Sequence, residues 1–224
     1  MPFGRRDSYD LLSRIAIQSL PAVSLDLQIP FTDIPCVRSD NTQSIYRAID
    51  YFVAEGKKKF AYFCVFNGMN DNETERFHAF CRRLVAHRIP LRQEFIVSMN
   101  MSKFSSFRTE EAQSGWQIAS AEEQLARFLS MRERPEVLFF LNDISAANFL
   151  ETLRANKPEI IPTISIVGFD DLNISAKNNF TSIRQNFSLI GRKAVALLVQ
   201  RIANPWRHFR DISINTKLII REST

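Results

Sequence analysis

Glycine is scarce in this chain, six among 224 residues. The six stand at 4, 56, 68, 115, 168 and 191, and no spacing among them makes a GxGxxG turn or a GxxxxGK[ST] phosphate loop. The common nucleotide-cradling motifs are thereby excluded. Histidine is scarcer still: His78, His87 and His208 form no HExxH and no His/Cys cluster, and no serine sits in a GxSxG elbow. We therefore expect no enzyme, no cofactor and no metal. The three cysteines, Cys36, Cys64 and Cys81, are odd in number, lack a CxxC pair and stand among apolar neighbours, which reads as buried free thiols in a reducing compartment. No run of ~18 apolar residues exists, and the first residues carry no apolar segment after Arg5-Arg6, so the expectation is a cytoplasmic protein with no membrane partner. An excess of positive charge is nearly lacking too. A formal net charge of +5 over this length is too small to stand alone as a nucleic-acid footprint.

What is present is a globular composition, 45% hydrophobic and 24% charged, with 19 phenylalanines. Tyr9 to Ser19 reads as a short amphipathic helix stopped by Pro21, followed by strands at Ala22 to Leu25 and Ile34 to Val37. From Thr42, the spacing of Ile45, Ile49, Phe52 and Val53 predicts a helix closed by Gly56. Phe60 to Phe66 is a continuous apolar run of the kind a buried parallel strand shows, and Phe77, Phe80, Cys81 and Leu84 share one face of the helix after it. The unit repeats: strands at Glu94 to Val97, Val137 to Leu141 and Thr163 to Phe169 alternate with helices at Ser120 to Met131 and Ile144 to Asn156. A last helix at Leu189 to Ile202 precedes a strand pair within Ile212 to Ile220. Strand and helix in alternation predict an α/β fold with parallel sheets.

Three segments together resemble one family. They are Ile166-Val167-Gly168-Phe169-Asp170-Asp171, then Thr181-Ser182-Ile183-Arg184-Gln185, then Gly191-Arg192-Lys193-Ala194-Val195-Ala196-Leu197-Leu198. With the ending Leu218-Ile219-Ile220-Arg221-Glu222-Ser223-Thr224, this order is similar to the effector-binding core of the LacI/GalR family of transcriptional regulators. Leu20-Pro21-Ala22-Val23-Ser24-Leu25-Asp26, Ser39-Asp40-Asn41, Arg76, Arg134-Pro135 and Leu141-Asn142-Asp143 fall in the family's order as well.

The resemblance implies a two-lobed, periplasmic-binding-protein-like fold with three crossing strands and a small ligand in the cleft between lobes. Residues 1–42 and 186–216 would form an N-terminal lobe, and 43–185 with 217–224 a C-terminal lobe, the crossings near Asn41, Gln185 and Thr216. Relatives carry a helix-turn-helix headpiece and about two further βα units ahead of the matched region. Their lack of a counterpart here leads us to expect an N-terminally truncated core with an incomplete N-terminal lobe, reaching DNA only through a headpiece missing from this chain. A homodimer is implied by the resemblance alone.

For the site, the resemblance implies a small polar effector such as a sugar, read by donors and acceptors for its hydroxyls and an aromatic face for its C–H side. Arg76, Asn142 and Asp170 match ligand-contacting positions of relatives; Trp116 matches a stacking aromatic; Asp40 and Asp26 match acids near the cleft. Bland readings stand beside these. Asn142 or Asp143 can cap the helix that follows, Arg76 can pair with Glu73 or Glu75, and Asp170 can order a turn. Asn41 and Gln185 are read as hinge residues. A solute-binding protein of the periplasmic type and a non-functional gene remnant are the rival readings.

Overall fold

Val137-Leu138-Phe139-Phe140 is apolar at every position, and a strand without alternation is one covered on both faces. The computed structural model, which describes residues 14, 15, 18, 20–29, 32–64, 71–98 and 121–222, places this strand (β5) inside a six-stranded sheet. In chain order the elements are β1 Ser24–Leu25, β2 Cys36–Ser39, α1 Asn41–Ala54, β3 Phe60–Cys64, α2 Asp71–Ala86 and β4 Ile96–Ser98. A helix over 121–130 (α3) follows, then β5 Val137–Phe140, α4 Asp143–Asn156, β6 Ser165–Asp170 and α5 Asn173–Lys177. The chain continues through β7 Thr181–Arg184, α6 Phe187–Ala203, β8 Ile212–Ile214 and β9 Lys217–Ile219.

Two compact units divide the chain, Met1–Asp40 with Asn186–Ile214 and Asn41–Gln185 with Asn215–Thr224. In the larger unit the sheet order is β4-β3-β5-β6-β7-β9, parallel throughout except for β9, which runs antiparallel to β7. The two-residue period of β3 sends Phe60, Tyr62 and Cys64 to one face and Ala61 and Phe63 to the other. On the first face they join Phe139, Val167 and Phe169 under α1 and α2, through Ile45, Ile49, Phe52 and Phe80. On the second, Phe63, Phe140 and Phe149 meet at centroid separations of 4.7, 5.2 and 5.0 Å, with Phe128 of α3 behind them. Burying a phenylalanine is worth roughly 1.5–3 kcal/mol, so each of these rings adds substantially to the unit's stability. Gly56 ends α1 with a left-handed φ of 82°.

The smaller unit has a parallel sheet ordered β1-β2-β8, with α6 packed on it through Ile190, Ala194 and Leu197 against Val37, Phe209 and Ile214. Asp211 ties the segment before β8 to the sheet, accepting from the Cys36 N–H and the Gln28 side-chain amide, each at 2.8 Å.

Several expectations shift. The strand at Ile34 to Val37 lies two residues later, because its pairing with β1 begins at Cys36. Gln93–Phe95 forms a 3-10 turn ahead of β4. Pro158–Thr163 does the same ahead of β6. The strands expected as a pair within Ile212 to Ile220 do not pair with each other: β8 joins β2 in one unit and β9 joins β7 in the other. Most of the expected helix at Tyr9 to Ser19 lies outside the described residues.

Candidate functional site

Parallel strands end at one edge of a sheet, so whatever follows β3, β5, β6 and β7 is gathered there by topology alone. In the larger unit that edge carries Arg76 from α2, Asn142 after β5, Asp170 closing β6, and Gln185 after β7. Asn41, the first residue of α1, joins them through Arg76.

Arg76 is 6% exposed. Its Nε donates to the Asn41 side-chain carbonyl at 2.8 Å, and one terminal nitrogen donates to the Leu141 carbonyl at 3.1 Å. The guanidinium carbon sits 3.5 Å from the centroid of the Phe169 ring. Asn41, fully buried, donates in turn to Asn72 and Glu75, both at 3.0 Å. Asn41 thereby links Arg76 to Glu75, to which the Thr42 hydroxyl also donates, at 3.2 Å.

Asp170 ends β6 at φ 108°, and Asp171 follows at φ 57°. Two successive non-glycine residues in this region are strained and persist only where the surroundings hold them. The Gln185 amide donates to the Asp170 carboxylate at 2.6 Å, which brings an expected hinge residue onto an expected ligand residue. Asp171 faces two guanidinium groups, Arg184 and Arg221. Burial by itself would raise the Asp171 carboxyl, but these two cations hold it below the usual range.

Asn142 is the cap of α4: its side-chain oxygen accepts from the Ser145 N–H at 2.9 Å. Asp143, which local sequence ranked as an equal cap, does something else. It is fully buried, accepting the Ser182 hydroxyl and the Leu172 N–H, both at 2.6 Å. Burial pushes its carboxyl up to about 6, against the lowering effect of those two donors. A Cβ on Gly168 would lie 2.1 Å from an Asp143 carboxylate oxygen, so the bare glycine in β6 is what admits this side chain. Sequence reasoning missed Asp143; the pairing of a strand glycine with a buried acid is the signal that could have found it.

Asp40 belongs to the smaller unit, where its N–H donates to the Ile214 carbonyl at 2.9 Å. Asp26, also there, has φ 62°. Trp116 lies outside the described residues. Among the described residues no group of three or more His, Cys, Asp or Glu side chains could hold a metal, and no helix is long and apolar enough to cross a membrane. The edge therefore offers a guanidinium, carboxylates and amides, the inventory for a small ligand bearing hydroxyls.

Residues 49–224 match the model of the periplasmic binding protein-like domain family. The HTH-type transcriptional repressor PurR of Photobacterium profundum is 25% identical over 97% of this chain and 60% of its own length. The arabinose metabolism transcriptional repressor of Geobacillus stearothermophilus is 28% identical over 92% of this chain and 54% of its own length. The chain thus spans somewhat over half the length of these curated relatives. A LacI family transcriptional regulator from Enterococcus faecium, solved with bound ribose, shares the fold with a TM-score of 0.73 at 19% identity, covering 97% of this chain and 75% of its own. The matched span places the chain in the periplasmic binding protein-like domain family, whose fold it shares with the solved LacI-family regulator.

Proposed function

We propose that the chain is the small-molecule-sensing core of a LacI-type transcriptional regulator and that its effector is a sugar, held at the carboxyl edge of the six-stranded sheet. The observation that carries this reading is the convergence of Arg76, Asp170 and Gln185 there, two of them buried and all three already hydrogen-bonded in place. A preset guanidinium and carboxylate can exchange these internal bonds for vicinal hydroxyls at little ordering cost. Asn142 adds an amide at the same edge. The two compact units are the two lobes of this reading, with Asn41, Gln185 and Thr216 at the crossings. In the whole regulator, a cytoplasmic homodimer, effector and operator affinities are reciprocally coupled, the DNA contacts being made by a headpiece outside this chain.

The test is calorimetric titration with D-ribose, L-arabinose and cellobiose, alongside a thermal-shift series. Ligand at a hundred times Kd stabilises by about 2.7 kcal/mol, a shift easily read. Binding should be lost in Arg76→Lys and Asp170→Asn, each still folding cooperatively. Binding retained in both variants would remove the site from this edge, and no heat from any sugar would overturn the choice of ligand.

A further inference from the structure

The segment after β9 reaches back to the turn that carries Asp170. Arg221 donates from its backbone N–H to the Thr181 hydroxyl at 3.0 Å, from one guanidinium nitrogen to the Phe180 carbonyl at 2.9 Å, and from the other to the Asp171 carboxylate at 2.6 Å. Its side chain is only 15% exposed and that of Asp171 5%, whereas Arg184, the second cation on Asp171, is 53% exposed. Water and salt screen the Arg184 pair far more, so Arg221 is the partner that holds Asp171. The Asp171 N–H is fixed as well, donating to the Ser182 hydroxyl at 3.0 Å, and the next N–H, of Leu172, goes to buried Asp143.

Asp170 closes β6 in register with Arg184 of β7. It stands at φ 108°, a value a non-glycine residue leaves unless its neighbours prevent it, and its neighbour at φ 57° is the one that Arg221 clamps. We propose that Arg221 is a positioning residue for the effector edge: through Asp171 it fixes the two left-handed residues closing β6, so that the Asp170 carboxylate stays on the Gln185 amide. The clamp's relevance to ligand rests on the sensor reading above, but its action on the turn does not. No atom of Arg221 is required to touch the ligand.

The experiment uses the full chain without ligand, compared by NMR as wild type, Arg221→Gln, Arg221→Lys and Asp170→Asn. In Arg221→Gln, amide exchange at Asp171 and Leu172 should rise about tenfold or more, while the β5 amides Val137 to Phe140 keep their rates. The Gln185 side-chain amide resonances should move toward their positions in Asp170→Asn, and Arg221→Lys should restore both reporters in part. Unchanged reporters would overturn the proposal, and so would faster exchange spread equally into β5, which is what a merely structural arginine gives. Titration with D-ribose then reads the consequence, a five- to tenfold weaker Kd in Arg221→Gln. Ribose heat that Arg221→Gln leaves unchanged overturns the positioning role, whereas moved reporters without sugar binding by wild type overturn the sensor reading and leave the clamp standing.

Discussion

A buried cation rests on an aromatic ring at the heart of the candidate site: the guanidinium carbon of Arg76 is 3.5 Å from the centroid of Phe169, the residue immediately before Asp170. The ring faces α2 and contributes to the core beneath it, so Arg76 is held by core packing on one side and by Asn41 and Leu141 on the other.

Removing that cation should therefore cost stability as well as ligand. Arg76→Ala leaves the Asn41 oxygen and the Leu141 carbonyl without these donors and should destabilise by about 2–4 kcal/mol. Arg76→Lys keeps the charge without the fork and should cost about half as much. Urea unfolding at pH 7 measures both, and equal midpoints for wild type and Arg76→Ala would show that the network carries no stability.

Gly168→Ala should be among the most damaging single-methyl changes in the chain. The new Cβ would meet Asp143 at 2.1 Å and the Phe180 ring at 2.9 Å, both fully buried, so one of them must leave its place. Overpacking of this kind costs about 1–3 kcal/mol, and loss of the Asp143 bonds adds to it. Adding Asp143→Ala should remove most of the extra penalty, a non-additivity that a double-mutant cycle by thermal unfolding reads directly.

Stability should fall as pH rises through the range from about 4 to about 6. Asp143 titrates near 6 when folded and near the ordinary carboxylate value when unfolded, so the folded chain binds the extra proton in that window and loses the advantage above it. A shift of this size corresponds to about 2–3 kcal/mol. Asp171 and Asp50 act oppositely. The Arg83 guanidinium, with His87, holds Asp50 below the usual range as Arg221 and Arg184 hold Asp171, so their stabilisation is present above about pH 4 and lost as pH falls through their folded values. Urea midpoints at pH 4.5 and 7 should differ in wild type and nearly coincide in Asp143→Asn.

Thiol labelling should be slow and ordered. Cys36 and Cys64 are fully buried and Cys81 partly so, and burial pushes all three thiols up, away from the reactive thiolate. With a chromogenic disulfide reagent, Cys81 should react first in the native chain, and the other two only at the rate of unfolding.

The strands β3, β5 and β6 were legible because buried parallel strands are written as unbroken apolar runs. β7 is not legible as a strand, since Thr181 and Ser182 look polar. Both are fully buried, their hydroxyls taken up by the Arg221 and Asp171 N–H groups and, for Ser182, by Asp143. Only long-range partners make such residues core. The separation of β8 from β9 was hidden for a similar reason, because two short strands two residues apart look locally like a hairpin. The order of strands and helices suffices to bring Arg76, Asp170 and Gln185 to one edge of the sheet, but the difference between Asn142 as cap and Asp143 as buried acid depends on Gly168 in another strand.

The parallel pairing of β2 with β8 has a consequence for biosynthesis. Cys36 and Asp211, bonded at the base of that sheet, are 175 positions apart, so the ribosome must add that length of chain after β2 before the smaller unit acquires its third strand. The larger unit lacks only its edge strand β9 at that moment. Nascent chains arrested shortly before residue 212 should accordingly yield a protease-resistant fragment drawn from Asn41–Gln185, with β1 and β2 still open to digestion and to chaperones.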